Sequence, residues 1–316
     1  MMCLHPISVR EWYDPSVTKY FKTSDGRLQA ITCDLPKKQS KRYHLVPCGK
    51  CVACLSRRRN EWTYRLSKEQ EMSDYTYFLT LTYDQANIPI RIQDNTPYFV
   101  FDKSHLQKYL KRVRYFMKEL NPDLNCQYYA VSEYGSKGSR PHYHMLFYVK
   151  NDKYLRYKRQ IETILRETWN FGFTTIKAAN PANIHYVTKY CVKSLDQVPP
   201  GCIDPVFVLA SKKNYLGGSF ESTLEKQAPD SFVYMNGMKQ AMPRIYRDKL
   251  GIRGVINGTS DLDPRLTPET EARFRAKYYK SFPDGNDGDM VMYIQNHLKQ
   301  FEKQAIHRQL SRNEKL

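Results

Sequence analysis

Between Tyr75 and Ala178 the chain switches repeatedly between a period of two and a period of 3.6, which sharply limits the folds open to it. Tyr75 to Tyr83 is rich in aromatic and β-branched residues, the composition of a strand. In Lys103 to Leu120, Leu106, Leu110, Val113 and Met117 recur at helical spacing. Asp102 or Ser104 offers an N-cap, and Pro122 stands just past the end. Gln127–Tyr134 and His142–Val149 predict two strands joined by Gly135-Ser136-Lys137-Gly138-Ser139-Arg140-Pro141, the composition of a hairpin connection. Tyr154 to Trp169 reads as a helix, Gly172 to Ala178 as a strand and Asn183 to Leu195 as a helix. The order matches a split βαβ (ferredoxin/RRM-like) α+β fold: an antiparallel sheet with helices on one face, the other face free to hold a site.

Outside this core the pattern is weaker. Residues 1–47 are polar and read as irregular, with a turn signal at Asp25-Gly26 and a basic stretch from Lys37 to Arg42. Leu55 to Met72 reads as a helix that opens with Arg57-Arg58-Arg59. Pro199-Pro200-Gly201 marks a break, after which 198–260 is mixed and turn-rich, and 261–316 is helical and highly charged. The expected division is 1–72, 73–197, 198–260 and 261–316.

His142-Tyr143-His144 is the first chemical signal. Residues two apart in a strand share a face, about 6.6 Å apart. Tyr143, Met145, Phe147 and Val149 then face the core, and His142 and His144 the open side. Glu133, across the expected hairpin, supplies a carboxylate, and two imidazoles with one carboxylate leave positions for substrate and water. The second signal is the tandem Tyr186-x-x-Lys189-Tyr190-x-x-Lys193. On a helix these four form one stripe, with Ile184, Val187, Cys191 and Leu195 as the opposite, apolar stripe.

With 50 Lys and Arg against 32 Asp and Glu, the formal net charge is +18, the footprint of a polyanion binder. The 25 tyrosines interleaved with cations suit unpaired bases. No apolar run approaches a membrane span, and Met1-Met2-Cys3-Leu4-His5-Pro6 lacks a signal-peptide pattern, so a secreted or integral membrane protein is not expected. Three of the eight cysteines sit at Cys48-x-x-Cys51-x-x-Cys54, which in such a chain points to metal rather than to disulfides. A structural Zn²⁺ needs a fourth ligand, for which Cys3, Cys33, His5 and His44 are candidates. An iron–sulfur cluster and three metal-free thiols are the alternatives. Arg57, Arg58 and Arg59 are then aimed at backbone phosphates or simply solvated.

The strand Phe78-Leu79-Thr80-Leu81-Thr82-Tyr83, then Glu133…Arg140-Pro141-His142-Tyr143-His144, then the tandem Tyr-x-x-Lys resemble motifs one, two and three of the HUH endonucleases. Tyr143 fills a slot that more often holds an aliphatic residue. The paired tyrosines resemble the two-tyrosine branch. Met2-Cys3-Leu4, Pro47-Cys48-Gly49-Lys50-Cys51 and the chain's size resemble the gokushovirus-like Microviridae, single-stranded DNA phages, over roughly residues 1–250. The resemblance implies a rolling-circle replication initiator that nicks and rejoins one DNA strand. Tyr186 and Tyr190 would be nucleophiles and Lys189 and Lys193 their helpers. Glu133, His142 and His144 would hold Mg²⁺ or Mn²⁺. Cys3, Cys48, Cys51 and Cys54 would hold a structural Zn²⁺, and Arg57, Arg58, Arg59, Lys137 and Arg140 would bind DNA. Single-stranded and supercoiled origin DNA, with host polymerase and helicase, would be the partners, in the host bacterial cytoplasm and away from membranes. An HUH relaxase or transposase, and a non-catalytic zinc-containing DNA-binding protein, are the other readings.

Overall fold

The computed structural model describes residues 7–13, 17–22, 28–32, 38–46, 48–136, 138–191, 198–212, 215–218, 232–235, 237–249 and 268–313. It divides into two compact units, one of residues 1–55 with 255–316 and one of residues 56–254. The Asp25-Gly26 turn signal lies outside the described residues.

The larger unit is built on a five-stranded antiparallel sheet. β5 (Tyr75–Tyr83), β8 (Asn125–Tyr134), β9 (Pro141–Lys150) and β10 (Gly172–Ala178) are joined by β11 (Val208–Ala210) in the order β10-β5-β9-β8-β11. Helix α2 (Lys103–Leu120) connects β5 to β8, and α3 (Lys158–Glu167) connects β9 to β10. Each βαβ unit leaves one strand's width between its two parallel strands, and a strand of the other unit fills it, the split βαβ arrangement the sequence predicts. The Asp102 carboxylate caps α2 by accepting from the Ser104 N–H at 2.7 Å. Leu106, Tyr109, Leu110, Val113 and Met117 of α2 and Ile161 and Leu165 of α3 are buried against Tyr77, Leu79, Leu81, Tyr143, Met145, Phe147 and Val149. Each such large side chain contributes about 1.5–3 kcal/mol by leaving water.

The opposite face is not open. Tyr129 and Val131 of β8 and Leu146 and Tyr148 of β9 form a second core with Leu66 of α1 (Val52–Glu71), Ile184 and Val187 of α4 (Pro181–Thr188), Tyr190 and Leu216. The expectation of a free face is corrected for a visible reason. β9 carries apolar side chains on both faces beyond its two histidines, so both faces need covering. α1 is pinned across it: the Tyr148 hydroxyl donates to the Leu66 carbonyl at 3.2 Å, and Gln70 Nε2 donates to the Ala179 carbonyl at 3.0 Å.

Three further differences from the sequence reading have local causes. The helix expected from Tyr154 starts only at Lys158, because Asn151 and Leu155 adopt left-handed φ of 67° and 54° in the preceding loop. The expected helix over Asn183–Leu195 is α-helical from Pro181 to Thr188, then a 3₁₀ turn over Lys189–Cys191. The buried Thr188 hydroxyl bonds back to the Ile184 carbonyl at 2.9 Å and meets Thr63 Oγ1 at 3.0 Å, a pattern that bends helices. Between β5 and α2 lies an unforeseen hairpin, β6 (Ile90–Gln93) and β7 (Thr96–Phe99), whose Asp94 and Asn95 have φ of 49° and 60°. Both positive values suit a two-residue hairpin turn.

Within residues 1–47, expected to be irregular, β1 (Ile7–Tyr13) pairs with β4 (Lys38–Val46) and β2 (Val17–Lys22) with β3 (Leu28–Thr32). The polar composition of β4, which absorbs most of the basic stretch, hides its strand character. The mixed region after residue 198 supplies β11, the hairpin β12 (Phe232–Met235) with β13 (Met238–Ala241), and the short α5 (Arg244–Lys249). The expected helical tail contains α6 (Pro268–Ser281) and α7 (Asp287–Asn313), joined through Tyr278, Met290, Ile294 and Leu298. Among the described residues, no helix is long and apolar enough to cross a membrane.

Candidate functional site

Cross-strand register assembles the first cluster. Glu133 of β8 lies opposite His142 of β9, and His144 lies between Val131 of β8 and Thr80 of β5. The Glu133 Oε2 is 3.1 Å from His144 Nε2 and 3.6 Å from His142 Nε2, and the two Nε2 atoms are 3.1 Å apart. All three side chains are largely buried, their exposures 14%, 16% and 11% in the order Glu133, His142, His144.

Outer partners set the imidazole orientations. His142 Nδ1 faces the Arg140 carbonyl at 3.1 Å, and a carbonyl only accepts, so Nδ1 carries the hydrogen and the neutral ring turns its Nε2 lone pair inward. His144 Nδ1 meets Thr80 Oγ1 at 3.1 Å, and its ring stacks on Phe78 with centroids 5.4 Å apart. Such outer contacts orient metal-ligating histidines. Three lone-pair atoms converging this closely repel one another unless a proton or cation lies among them. Bonds of about 2.1 Å give ligand separations of about 3.0 Å in an octahedral shell and about 3.4 Å in a tetrahedral one, and the observed edges are of that size. The trio could therefore hold a divalent ion.

The phenols enter from α4, whose start is fixed by a reciprocal cap between Asn180 and Asn183. Tyr186 donates its hydroxyl proton to Glu133 Oε2 at 2.6 Å and lies 3.3 Å from His144 Nε2. Tyr190 is only 2% exposed, and its hydroxyl reaches that of Tyr186 at 3.5 Å. The two phenols are therefore unequal: Tyr186 lines the cluster and Tyr190 stands behind it. The Lys189 ammonium sits 4.0 Å from the Tyr186 ring centroid and 5.2 Å from that of Tyr190. Lys193 lies outside the described residues.

Burial alone would raise the Glu133 carboxyl, but hydrogen bonds from His142, His144, Tyr186 and Tyr190 outweigh it and hold the group well below the usual carboxylate range. Burial pushes His144 down, against the pull of Glu133. Burial and the hydrogen bond to Glu133 push the Tyr186 phenol up to about 12, and the same causes raise Tyr190 further. At neutral pH the cluster thus holds an ionised carboxylate and two protonated phenols.

The second cluster lies in the smaller unit. Cys48, Cys51 and Cys54 present three sulfurs to one another. Cys48 Sγ and Cys54 Sγ are 4.0 Å apart, close to the edge of about 3.8 Å of a tetrahedron with 2.3 Å metal–sulfur bonds. The Cys51 N–H donates to Cys48 Sγ at 3.3 Å, and Gly49 takes the left-handed φ of 74° that this tight loop requires. Cys3, Cys33 and His5 lie outside the described residues, as does the side chain of His44.

The basic candidates do not converge on the first cluster. Arg57 pairs with Glu61 at 3.3 Å, Arg58 is exposed and Arg59 half-buried. Arg140 Nη2 donates to Gln85 Oε1 at 3.0 Å, which ties the β8–β9 loop to the end of β5. Lys137 lies outside the described residues. Phe78 and Thr80 are site residues that the sequence reading does not single out. Their signal is the period of two, which puts them on the face of β5 that meets His144.

Residues 76–195 match a family model described as Replication-associated protein ORF2. The chain is similar to Replication-associated protein ORF4 of Chlamydia phage 1, 25% identical over 237 residues, covering 69% of this chain and 56% of that protein. It is similar to Replication-associated protein ORF2 of Spiroplasma virus 4, 26% identical over 208 residues, covering 62% of each. With Replication-associated protein VP4 of Bdellovibrio phage phiMH2K it shares 28% identity over 227 residues, 64% of this chain and 66% of that protein. The chain thus spans 56% to 66% of the length of these relatives. No solved structure matches it. The span 76–195 contains Glu133, His142, His144, Tyr186 and Tyr190, and on that span the chain resembles the replication-associated proteins of the Microviridae.

Proposed function

We propose that the chain initiates rolling-circle DNA replication as an HUH endonuclease, nicking one strand of a phage origin and later rejoining it into a circle. The observation that carries this reading is the Tyr186 hydroxyl, 2.6 Å from Glu133 and 3.3 Å from His144. It puts a nucleophile beside a metal-type cluster, as a phosphoryl transfer needs.

The Tyr186 oxygen attacks the scissile phosphorus, and the 3′ oxygen leaves and takes a proton. One phosphodiester is exchanged for another, a 5′-phosphotyrosine, so the energy needed for rejoining is conserved without ATP. Glu133 accepts the hydrogen bond of the phenol before attack, and Lys189 offsets charge on the phenolate or the phosphate. Phe78 and Thr80 keep His144 turned towards the phosphate site. Mg²⁺ or Mn²⁺ on Glu133, His142 and His144 would polarise and position the phosphate, and two imidazoles favour Mn²⁺. The freed 3′-OH primes a host polymerase, with a host helicase opening supercoiled origin DNA in the bacterial cytoplasm. The direct test is incubation with labelled single-stranded origin DNA and Mn²⁺. A covalent protein–DNA adduct is expected, and its absence over all origin sequences rejects the reading.

The cysteine cluster is assigned a structural Zn²⁺ on Cys48, Cys51 and Cys54, with Cys3 as the fourth ligand. Protein purified without chelator is expected to hold about one zinc per chain by elemental analysis. Cys51→Ser should lose it and become protease-sensitive in the amino-terminal part, because metal binding and folding are coupled. Iron, or no metal, in the wild-type protein would overturn the assignment.

A further inference from the structure

The loop between β9 and α3 carries Lys153, Tyr154, Leu155, Arg156, Lys158 and Arg159 in seven residues. Its backbone is held from inside. Asp152, 4% exposed, accepts from the Tyr75 hydroxyl at 2.8 Å and from the Tyr157 N–H at 3.1 Å, and donates its own N–H to Asp74 at 2.8 Å. Asn151 Nδ2 donates to the Asp123 carbonyl at 2.8 Å. Leu155 keeps a left-handed φ of 54°, a conformation that costs a non-glycine residue about 1 kcal/mol and persists only where its surroundings enforce it. The one acid of the loop is therefore spent on the interior, while the side chains outside are cationic and aromatic. Tyr154 is 88% exposed and Leu155 47%. Among the described residues, none of Lys153, Arg156, Lys158 and Arg159 has a carboxylate partner within 4.0 Å.

Four unpaired cations around an exposed phenol ring, on a preformed loop, complement a flexible polyanion whose bases are free to stack. We infer that this loop is a second contact for single-stranded DNA, distinct from the nicking site, which grips the strand leading to or from the scissile phosphate. The inference rests on the nicking function proposed above only in the identity of that strand. Loop and nicking cluster lie at opposite ends of β9. From His144 to Lys150, six residues at about 3.3 Å each separate them by about 20 Å. At about 3.4 Å per stacked nucleotide, a strand needs at least six nucleotides beyond the scissile phosphate to reach the loop.

The test uses the full chain and two sets of single-stranded oligonucleotides centred on the nick site, one of about eight nucleotides and one extended by about 15 on either side. Tyr154→Ala should weaken binding of a long oligonucleotide about tenfold by fluorescence anisotropy, while Tyr154→Phe, which keeps the stacking face, binds as wild type. Arg156→Gln with Arg159→Gln should lower the slope of log affinity against log salt by about 1.4. Nicking of the short oligonucleotides should be unchanged in all three variants. That control separates the two ideas: no nicking by any protein rejects the nicking function and leaves the binding comparison readable. Wild-type affinity of Tyr154→Ala for the long strand overturns the inference. So does a loss seen only with duplex flanks, or only on vesicles containing anionic lipid.

Discussion

Alanine in place of Glu133, His142 or His144 is expected to lower nicking of a single-stranded origin oligonucleotide by at least about 10²-fold and to leave its binding within about threefold. Loss of an outer-shell partner of a metal ligand typically costs 10–100-fold, and loss of a ligand costs more. Binding is spared because these residues contribute none of the cationic surface that grips a phosphate backbone. Glu133→Gln is the sharper probe. It preserves volume and the Tyr186 contact at 2.6 Å but removes the charge that offsets a divalent cation. Thr80→Val should give a smaller loss, because Thr80 meets only the outward Nδ1 of His144, at 3.1 Å. Titration calorimetry with Mn²⁺ reads the same series without turnover, with affinity falling in the order wild type, Thr80→Val, His144→Ala. Normal nicking by His144→Ala at limiting Mn²⁺ would remove the metal assignment.

How much of this is legible in the sequence depends on whether the deciding contacts are local. β5 runs from Tyr75 to Tyr83 and β10 from Gly172 to Ala178, as composition alone predicts, and α2 keeps its bounds because periodicity, the Asp102 cap and Pro122 agree. The meeting of Glu133 with the two histidines follows from hairpin register and strand alternation. The closed second face does not follow, although Leu146 and Tyr148 on the histidine face are its signal, since an apolar strand on both faces asks for two layers. Two departures depend on distant partners. Asp152 bonds to Tyr75, 77 residues away, and holds a loop where periodicity predicts a helix. Thr188 meets Thr63 across 125 residues, where α4 gives way to a 3₁₀ turn. No window of sequence contains either pair.

That 3₁₀ turn makes the two tyrosines sequential rather than equivalent, and the last prediction follows. Tyr186→Phe should lower the first covalent adduct by at least about 10³-fold, the scale of losing a nucleophile. Tyr190→Phe should retain the first adduct within about fivefold yet fail to release closed circles. The cause is position. Tyr186 already touches Glu133 and His144, whereas Tyr190 is 2% exposed among Ile184, Val187 and Leu216, its hydroxyl 3.5 Å behind that of Tyr186. Burial and Glu133 hold the proton of Tyr190 more tightly than that of Tyr186, which is pushed up to about 12. Below that value the phenolate fraction of Tyr186 grows about tenfold per pH unit, so the first nick should quicken as pH rises through neutrality. A bound cation would lower the value without changing the sign. Once Tyr186 carries the 5′ end and swings away with the DNA, Tyr190 becomes the phenol nearest the vacated phosphate site. Rapid-quench measurement of adduct on a short oligonucleotide, beside circle release on a full origin, separates the two roles. Equal partial loss in both single variants would mean interchangeable nucleophiles. Loss of the first adduct in Tyr190→Phe alone would reverse the order.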